Sequence, residues 1–419
     1  MIGAKFLDSS LAGAPQIEYG AGSLISILDA CLVNGWGLTA IDALTYDSGT
    51  GKCTANFVGG HSFQKDRVIR ISGADQAAYN GDFRVESTTV NDVIFTPDAA
   101  PGVATATGVT LQAKFAPLDW VRSFDDGVGT KAVYQPDPAT RSTQCAIWVD
   151  DTNTLTNYNY NSCYSSMVKG VVNPTGLDVW DEQITRDEYA ETSLTFPGWV
   201  KKAYSTSATT YRKWWMIGDG RFFYLIVRHG NSSSSSYDCP STYAFGEFKT
   251  YRAGDQYNFI CQTGRIDQGT YDCSTEFCNL IDGSYNTRVI ARGADQLSGR
   301  TYYSYMLFKA NDMQTPPQAT TSAGALTYPN PVNGELVYSY PIEVTESVSG
   351  GFTATDTFLR GALPGVAIPL HYKPLNGNTV NDISLNGQTE RAVALNVGTT
   401  KGYSYSAQIL IFLTAGWER

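Results

Sequence analysis

The chain has 419 residues, a length that predicts about two to four domains of roughly 100 to 200 residues each. Its formal net charge is −10 and its Lys and Arg are scattered, so we do not expect nucleic-acid binding, which needs clustered cations. Only 17% of the residues are charged while Gly and Tyr are abundant, and this composition is typical of a mainly β, multidomain protein built from β-sandwich or β-barrel modules.

Residues 1–37 are predicted to form an N-terminal arm followed by one short amphipathic helix. The first 22 residues show no periodicity, and we expect them to lie as an irregular polar arm on a neighbouring subunit, with Pro15 as a candidate interface residue. Ser23 is the predicted N-cap of the helix, and Gly35 follows as its stop. Apolar residues recur at helical spacing and favour an ordinary core helix; they are Leu24, Ile27, Leu28, Cys31 and Leu32.

Residues 38–115 are predicted to form an inserted small β-barrel or immunoglobulin-like sandwich, called the module below. Short alternating segments predict strands at residues 53–58, 67–72, 82–86 and 92–96, separated by turns.

Residues 116–319 are predicted to form an aromatic-rich β body. An apolar run at 222–227, flanked by Arg221 and Arg228, predicts a central strand buried on both faces. Polar segments at 153–166 and 231–237 suit exposed loops.

Residues 320–419 are predicted to be a C-terminal β region whose loops are ordered by proline and glycine. The loop at 328–334 combines prolines with a closing Gly334, so it could present a fixed surface. We take Tyr328, Pro329 and Pro331 from it as candidate interface residues.

This loop, together with residues 359–371, 13–16, 22–35, 148–151 and 217–224, resembles a family of tailed-bacteriophage virion proteins along most of the chain. The resemblance implies a structural part of a particle, made in the host cytoplasm and located in the virion. It implies as partners other copies of the chain, other phage structural proteins and, through a surface-exposed module, a host surface glycan.

Aspartates raise two chemical alternatives. Two carboxyl groups held roughly 5 to 10 Å apart could hydrolyse a glycoside, and Ca²⁺ also binds carboxylates, but the twelve-residue calcium loop is absent. Asp residues at turns more often accept hydrogen bonds from the backbone, and we favour that interpretation for five of them: Asp125, Asp126, Asp150, Asp151 and Asp219. Residues 218–220 are interpreted as a hairpin turn.

Histidine offers no metal or catalytic spacing, because His61, His229 and His371 lie far apart. We therefore predict no enzyme activity, no catalytic residue, no cofactor and no metal.

Eight cysteines are many for a chain made in a reducing compartment. Cys239, Cys261, Cys273 and Cys278 are close in sequence and could form disulfides after lysis or remain buried free thiols, whereas their spacing does not match a zinc site.

Two functions follow from these observations. The first is a multi-copy neck, collar or tail protein that joins or sheathes an interface in the particle. The alternative is a capsid decoration or host-adsorption protein that uses the module. A depolymerase built as a β-helix is disfavoured because no repeat of about 20 to 50 residues is found. Neither a signal peptide nor an apolar run of about 18 residues is found, so we expect no membrane insertion.

Overall fold

The computed structural model describes most of the chain, in the ranges 2–18, 20–155, 163–184, 198–203, 211–228, 240–262, 288–290, 304–306, 329–347, 357–369, 371, 375–385, 387–397 and 407–418. Strands predominate in these ranges and a single short α-helix occurs near the start, which confirms the mainly β prediction.

The described residues of the first half of the chain form fourteen strands, which are β1 Lys5–Asp8, β2 Trp36–Ala40, β3 Ala43–Asp47, β4 Lys52–Asn56, β5 Val68–Ser72, β6 Gly81–Thr88, β7 Asp92–Phe95, β8 Gln112–Phe115, β9 Val121–Asp125, β10 Lys131–Gln135, β11 Cys145–Leu155, β12 Cys163–Val172, β13 Glu182–Gln183 and β14 Gly198–Ala203.

The second half contributes another fourteen described strands, which are β15 Trp214–Gly218, β16 Phe222–Arg228, β17 Pro240–Glu247, β18 Lys249–Thr250, β19 Phe259–Gln262, β20 Arg288–Ile290, β21 Ser304–Met306, β22 Tyr338–Ser339, β23 Glu343–Ser347, β24 Thr357–Ala362, β25 Val366–Pro369, β26 Thr379–Leu385, β27 Gln388–Val397 and β28 Ala407–Phe412.

Five sheets with open strand orders arise from these strands, and all their pairings are antiparallel. The first body sheet has the order β1-β15-β16-β17-β19-β20. The second body sheet has the order β13-β12-β11-β10-β9, with β14 also beside β12. The module sheet runs β2-β8-β5-β6-β7-β4-β3, the C-terminal sheet runs β22-β25-β28-β27-β26, and a small sheet runs β18-β24-β23-β21.

Strand β16 is the centre of the body, as predicted. Its side chains alternate between two cores: Phe223, Leu225 and Val227 pack into the larger cluster, and the intervening Phe222, Tyr224 and Ile226 pack into a second one. Because both faces are covered, every residue of the run from Phe222 to Val227 is buried. The larger cluster also contains the buried apolar side chains of the module, except Val68.

Strand β1 corrects the prediction of an irregular N-terminal arm. Lys5–Asp8 is buried throughout and pairs with β15, with Phe6 opposite Ile217 and Leu7 opposite Met216. Leu7 packs into the larger core and Phe6 into the second. Four residues with a charge at each end carry too little apolar pattern to predict a strand, and the partner lies about 200 residues away in sequence.

The helix, α1, spans Ser23–Leu28 and continues into a π-helical turn at Asp29–Asn34. Its predicted apolar face is buried, whereas the prediction of Ser23 as N-cap is wrong: Gly22 occupies that position, and Ser23 Oγ donates to the Glu18 carbonyl. The N-cap residue has no side-chain acceptor for the first N–H groups of the helix. A carboxylate distant in sequence takes this role, because Leu24 N–H donates to Asp151 Oδ2 at 2.8 Å. Gly35 ends the turn at φ 66°, as predicted.

Candidate functional site

The contact between the module and strand β1 is a polar interface of hydrogen bonds and ion pairs. Arg67 directly precedes β5, and Arg84 lies in the middle of β6. Arg67 is buried, and Arg84 places its guanidinium group against the same strand. These arginines reach the edge of β1 that faces away from β15.

The outward edge of β1 can be identified from its hydrogen bonds. Ser9 N–H donates to the Trp214 carbonyl at 3.0 Å, so in an antiparallel pair the odd-numbered residues face β15 and the even-numbered residues face away. In the segment that leads into β1, the carbonyls of Ile2 and Ala4 each accept a hydrogen bond from Arg84 Nη2 at 2.7 Å. The outward carbonyl of Phe6 accepts one from Arg67 Nη1 at 2.9 Å.

Two guanidinium groups thus bind one carbonyl of β1 and two carbonyls of the segment just before it. Arg84 Nη1 also donates to the Asp66 carbonyl at 2.9 Å, and burial lowers the pKa of Arg84 to about 10. Ala4 N–H donates to the Leu413 carbonyl at 2.8 Å, so the C-terminal region closes the same edge.

Carboxylates balance the charges at this interface. Arg67 Nη2 forms an ion pair with Asp8 in which both side chains are buried. Lys5 forms ion pairs with Asp82 at 2.5 Å and with Asp119 at 2.7 Å. Burial raises the pKa of Asp82, but the hydrogen bond from Arg70 and the charge of Lys5 outweigh it and leave that pKa below its ordinary value.

Arg70 completes this cluster. Its guanidinium group binds Asp82 through two nitrogens, at 2.6 and 2.8 Å, and Asp119 at 2.6 Å. Asp119 lies four residues beyond the module and Lys5 belongs to β1, so the cluster connects the module and the segment that follows it to a strand distant in sequence. We name the contacts of Lys5, Asp8, Arg67, Arg70, Asp82, Arg84 and Asp119 the module anchor.

A further ion pair joins the module to the C-terminal sheet. Arg391 on β27 pairs with Asp66, which precedes β5 and adopts φ 70°. The module is therefore attached to both the first body sheet and the C-terminal sheet.

The module also carries a small apolar tip, formed by the loop at 57–60 and the turn at 89–91. The two segments are joined by a hydrogen bond from Phe57 N–H to the Asn91 carbonyl, at 2.7 Å. Val58 is 72% exposed and Val90 is 80% exposed. The tip thus exposes two apolar side chains on adjoining loops.

A shallow depression of about 340 Å³ lies beside α1 and includes Asp29. Asp29 accepts hydrogen bonds from Tyr134 Oη at 2.8 Å and from Arg122 Nη1 at 2.7 Å. Burial raises the pKa of Asp29 despite both partners. These contacts join the π-helical turn to β9 and β10, which gives Asp29 a structural role.

The aspartates singled out from the sequence accept hydrogen bonds at turns and strand ends, as predicted. Asp126 accepts from the N–H groups of residues 128–130, and although burial raises its pKa, the bonds from Thr130 and the backbone lower it to about 2. Asp125 accepts from Gly127 N–H at 2.8 Å. Asp219 accepts from the N–H groups of residues 221 and 222 in the predicted hairpin turn.

The second aspartate pair has two structural roles. Asp150 pairs with Lys131 at 3.0 Å and accepts a hydrogen bond from Thr152. Asp151 is fully buried, caps α1 and accepts from Ser166 Oγ at 2.7 Å.

Glu247, which sequence analysis did not single out, is fully buried at the end of β17. Its carboxylate accepts from Ser142 N–H at 2.9 Å and from Thr143 N–H at 2.7 Å, and it pairs with Arg221 at 2.6 Å. A single Glu after an apolar strand gives no sequence signal for this role.

The described histidines have structural partners and remain apart. His61 Nε2 lies 3.2 Å from the Asp92 carbonyl, and its ring stacks on Phe63. His371 Nε2 accepts from Val337 N–H at 2.8 Å. His229 lies outside the described residues. Within the ranges given above, no group of three or more His, Cys, Asp or Glu side chains is arranged to hold a metal ion.

Cys261 is a buried free thiol whose pKa is raised well above its ordinary value by burial. Cys239, Cys273 and Cys278 lie outside the described residues, so the predicted cluster with Cys261 stays a prediction. Cys31 is buried in the larger core, as predicted.

The candidate interface residues are not part of the module anchor and differ in exposure. Pro15 is half-buried, and its carbonyl accepts from Trp214 Nε1 at 2.9 Å. Pro329 and Pro331 are exposed, and Tyr328 lies outside the described residues. Their interface role stays a prediction. No helix in the described ranges has the length and apolar character needed to cross a bilayer.

Comparisons with known proteins give no family. No protein-family model and no curated protein matches the chain. Among solved structures, the chain is similar to a phage phi92 endosialidase with 11% identity and a TM-score of 0.17, over 88% of this chain and 74% of that one. A TM-score this low supports no argument about fold or function.

Proposed function

We propose that the chain is a non-enzymatic structural component of a tailed-phage particle, acting in multiple copies at the neck, collar or tail to join or sheathe an interface. The sequence resemblance suggests the particle. The module anchor is the observation that carries the joining role, because a part that connects neighbours has to keep its own domains in fixed relation.

The chemistry of the anchor supports this role. Removing one partner of a buried ion pair is strongly destabilising, so the pairs of Asp8 with Arg67 and Lys5 with Asp82 hold the module in one position. A module fixed on two sides could transmit a load between neighbours. The proposed partners are other copies of the chain and other phage structural proteins; the acidic net charge disfavours DNA as a partner.

Immunogold electron microscopy of purified particles tests this proposal, with an antibody raised against the folded full chain and selected for binding to residues 38–115. Label at the neck, collar or tail would support a joining role. Protein found only in the lysate and absent from particles would refute the virion proposal.

A capsid decoration or host-adsorption function is the second candidate, and the exposed Val58 and Val90 of the module tip favour it. The test is binding of the purified chain to host cells or to their surface glycans. We would compare the V58D/V90D variant with V109D, since Val109 is a fully exposed module residue outside the tip. Loss of binding only in V58D/V90D would support adsorption. Equal binding by the wild type, V58D/V90D and V109D would exclude the tip as the binding surface.

A further inference from the structure

Five Asn-Gly pairs occur in the chain, at 34–35, 80–81, 333–334, 376–377 and 386–387. The backbone nitrogen of the residue after an Asn can attack the Asn side-chain carbonyl and expel ammonia. Glycine permits this attack best, because it has no Cβ and the widest choice of φ. Since the backbone has to rearrange for the attack, the surroundings of each pair decide whether it reacts. Residue 386 lies outside the described residues.

Asn333 lies in an exposed loop. Every residue from 331 to 335 is exposed, and nothing lies within 4 Å of a Cβ built on Gly334. The Asn333 side chain bonds to a near neighbour in sequence: Nδ2 donates to Glu335 Oε2 at 2.9 Å, and Oδ1 accepts from Glu335 N–H at 3.1 Å. This N–H points at the oxygen on which negative charge develops when the carbonyl carbon is attacked, so it favours the reaction.

One backbone hydrogen bond has to open first. Gly334 N–H donates to the Asn330 carbonyl at 2.7 Å, and the nitrogen cannot attack while it holds this bond. Local opening of an exposed loop costs little free energy, because water replaces the lost partner. The hydrogen bond therefore slows the attack without preventing it.

Asn80, in contrast, is held by its side chain and by the strand that follows. Its Oδ1 accepts from Ala74 N–H at 3.0 Å, and its Nδ2 donates to the Ala74 carbonyl at 2.7 Å. Gly81 is the first residue of β6 and pairs with Ile71. Ring closure at Asn80 would break both side-chain bonds and disturb the start of the strand.

Packing restrains the other two described pairs. Gly35 N–H donates to the Ala30 carbonyl at 2.8 Å, and a Cβ on Gly35 would collide with the Phe115 carbonyl. A Cβ on Gly377 would collide with the side chain of Asn396. Both glycines therefore lie in closely packed surroundings, unlike Gly334.

We propose that Asn333 is a deamidation site in the free chain, at which the nitrogen of Gly334 displaces the side-chain ammonia. The nitrogen gives up its proton and bonds to Asn333 Cγ, the Cγ–Nδ2 bond breaks, and ammonia leaves with that proton. Water then opens the five-membered succinimide at either carbonyl, which leaves aspartate or isoaspartate and one added negative charge. This inference does not rest on the proposed place in a phage particle.

Deamidation would change the loop that carries two of the candidate interface residues. The new carboxylate at position 333 faces Glu335, whose carboxylate accepts from Asn333 Nδ2 before the reaction. Because two like charges replace a hydrogen bond, the loop has to rearrange. Pro329 and Pro331 belong to the same loop, so their surface changes in charge and shape.

The experiment follows the purified full-length chain over time in mildly alkaline buffer, with mass spectrometry of the peptides that contain Asn333 and Asn80. We expect the mass gain of deamidation to appear several-fold faster at Asn333 than at Asn80. In concentrated urea the restraints of the fold are lost, so the two pairs should react at similar rates. Equal rates in the native protein, or no reaction at Asn333, would overturn the proposal.

Gly334→Ala tests the route of the reaction, because a methyl group beside the attacking nitrogen hinders ring closure. We expect several-fold slower deamidation at Asn333 and an unchanged rate at Asn80. Gly51→Ala is the matched control, since Gly51 also has a positive φ and open space around it. It should leave the rate at Asn333 unchanged. An equal rate at Asn333 in wild type and Gly334→Ala would overturn the proposal.

Discussion

Arg67 contacts both the backbone and the aromatic ring of Phe6. Arg67 Nη1 donates to the Phe6 carbonyl at 2.9 Å, and the guanidinium carbon lies 3.7 Å from the centroid of the Phe6 ring. A partly desolvated cation over an aromatic face contributes about 1–2 kcal/mol. Arg67 therefore contributes two separate contacts that hold β1 against the module.

Asp8→Asn should strongly destabilise the protein, because Arg67 would keep its buried charge without a counter-charge. Losing one partner of such a pair costs about 3–5 kcal/mol. Chemical denaturation should show an earlier unfolding midpoint, and Asp98→Asn, at an exposed position, should leave the midpoint unchanged. A D8N/R67M double variant that is no more stable than D8N would argue against this explanation.

Glu247→Gln should destabilise the body by about 3 kcal/mol, since the neutral amide leaves Arg221 without its charge partner and offers one acceptor oxygen in place of two. Glu86→Gln is the matched control, because Glu86 pairs with Lys52 at the surface and such pairs contribute about 0–1 kcal/mol. Equal melting temperatures for the two variants would contradict the structural role of Glu247.

Asp126 predicts a pH dependence at acid pH. Its pKa is about 2 in the folded protein against 3.8 as the ordinary value, so the unfolded chain binds more protons between these values. The stabilisation is complete above about pH 4 and is lost as the pH falls towards about 2. The difference in melting temperature between wild type and Asp126→Asn should shrink over this interval; a constant difference would contradict the lowered pKa.

Gly246→Ala should disrupt the pairing of β16 with β17. Gly246 has φ 128°, and a Cβ there would collide with the backbone of Arg221 and Phe222. Gly51→Ala is the control, because Gly51 also has a positive φ, of 71°, but open space around it. We expect about 1 kcal/mol for Gly51→Ala and clearly more for Gly246→Ala, measured by thermal unfolding. Equal losses of stability in the two variants would show that the positive φ, and not the collision of the Cβ, causes the effect.

Thiol labelling tests the cysteine predictions. Cys31, Cys53 and Cys261 are buried free thiols, so native protein should not react with iodoacetamide at these positions, and denatured protein should react fully. Mass spectrometry without reduction would then show whether Cys239, Cys273 and Cys278 form disulfides. Labelling of Cys261 in the native protein would contradict its burial.

Local sequence patterns were enough to predict those parts of the fold that depend on residues close in sequence. The apolar run between Arg221 and Arg228 predicted a strand covered on both faces, and the helical spacing from Leu24 to Leu32 predicted the buried face of α1. Asp219 and Asp126 were recognised because an Asp two to four residues before its donors forms a local turn.

Long-range polar partners could not be predicted in this way. The helix receives its cap from Asp151, which lies 127 positions away, and Arg67 meets Asp8 across 59 positions. Charged residues at alternating positions of a strand, such as Arg70 on β5 and Asp82 on β6, predict that this face of the module sheet is exposed to solvent. Only the folded structure shows that β1 lies against it. The whole module anchor was therefore missed.

The order of synthesis determines how early β1 can form the contacts of the module anchor. Ser9 and its partner Trp214 are 205 positions apart, whereas Phe6 and Arg67 are 61 apart. At roughly 5–20 residues per second, a ribosome needs about 10–40 s to reach β15 but only about 3–12 s to reach Arg67. The growing chain can thus bring its first strand to the module well before the strand's sheet partner exists, and among the described residues the module arginines are the earliest distant partners that β1 can meet.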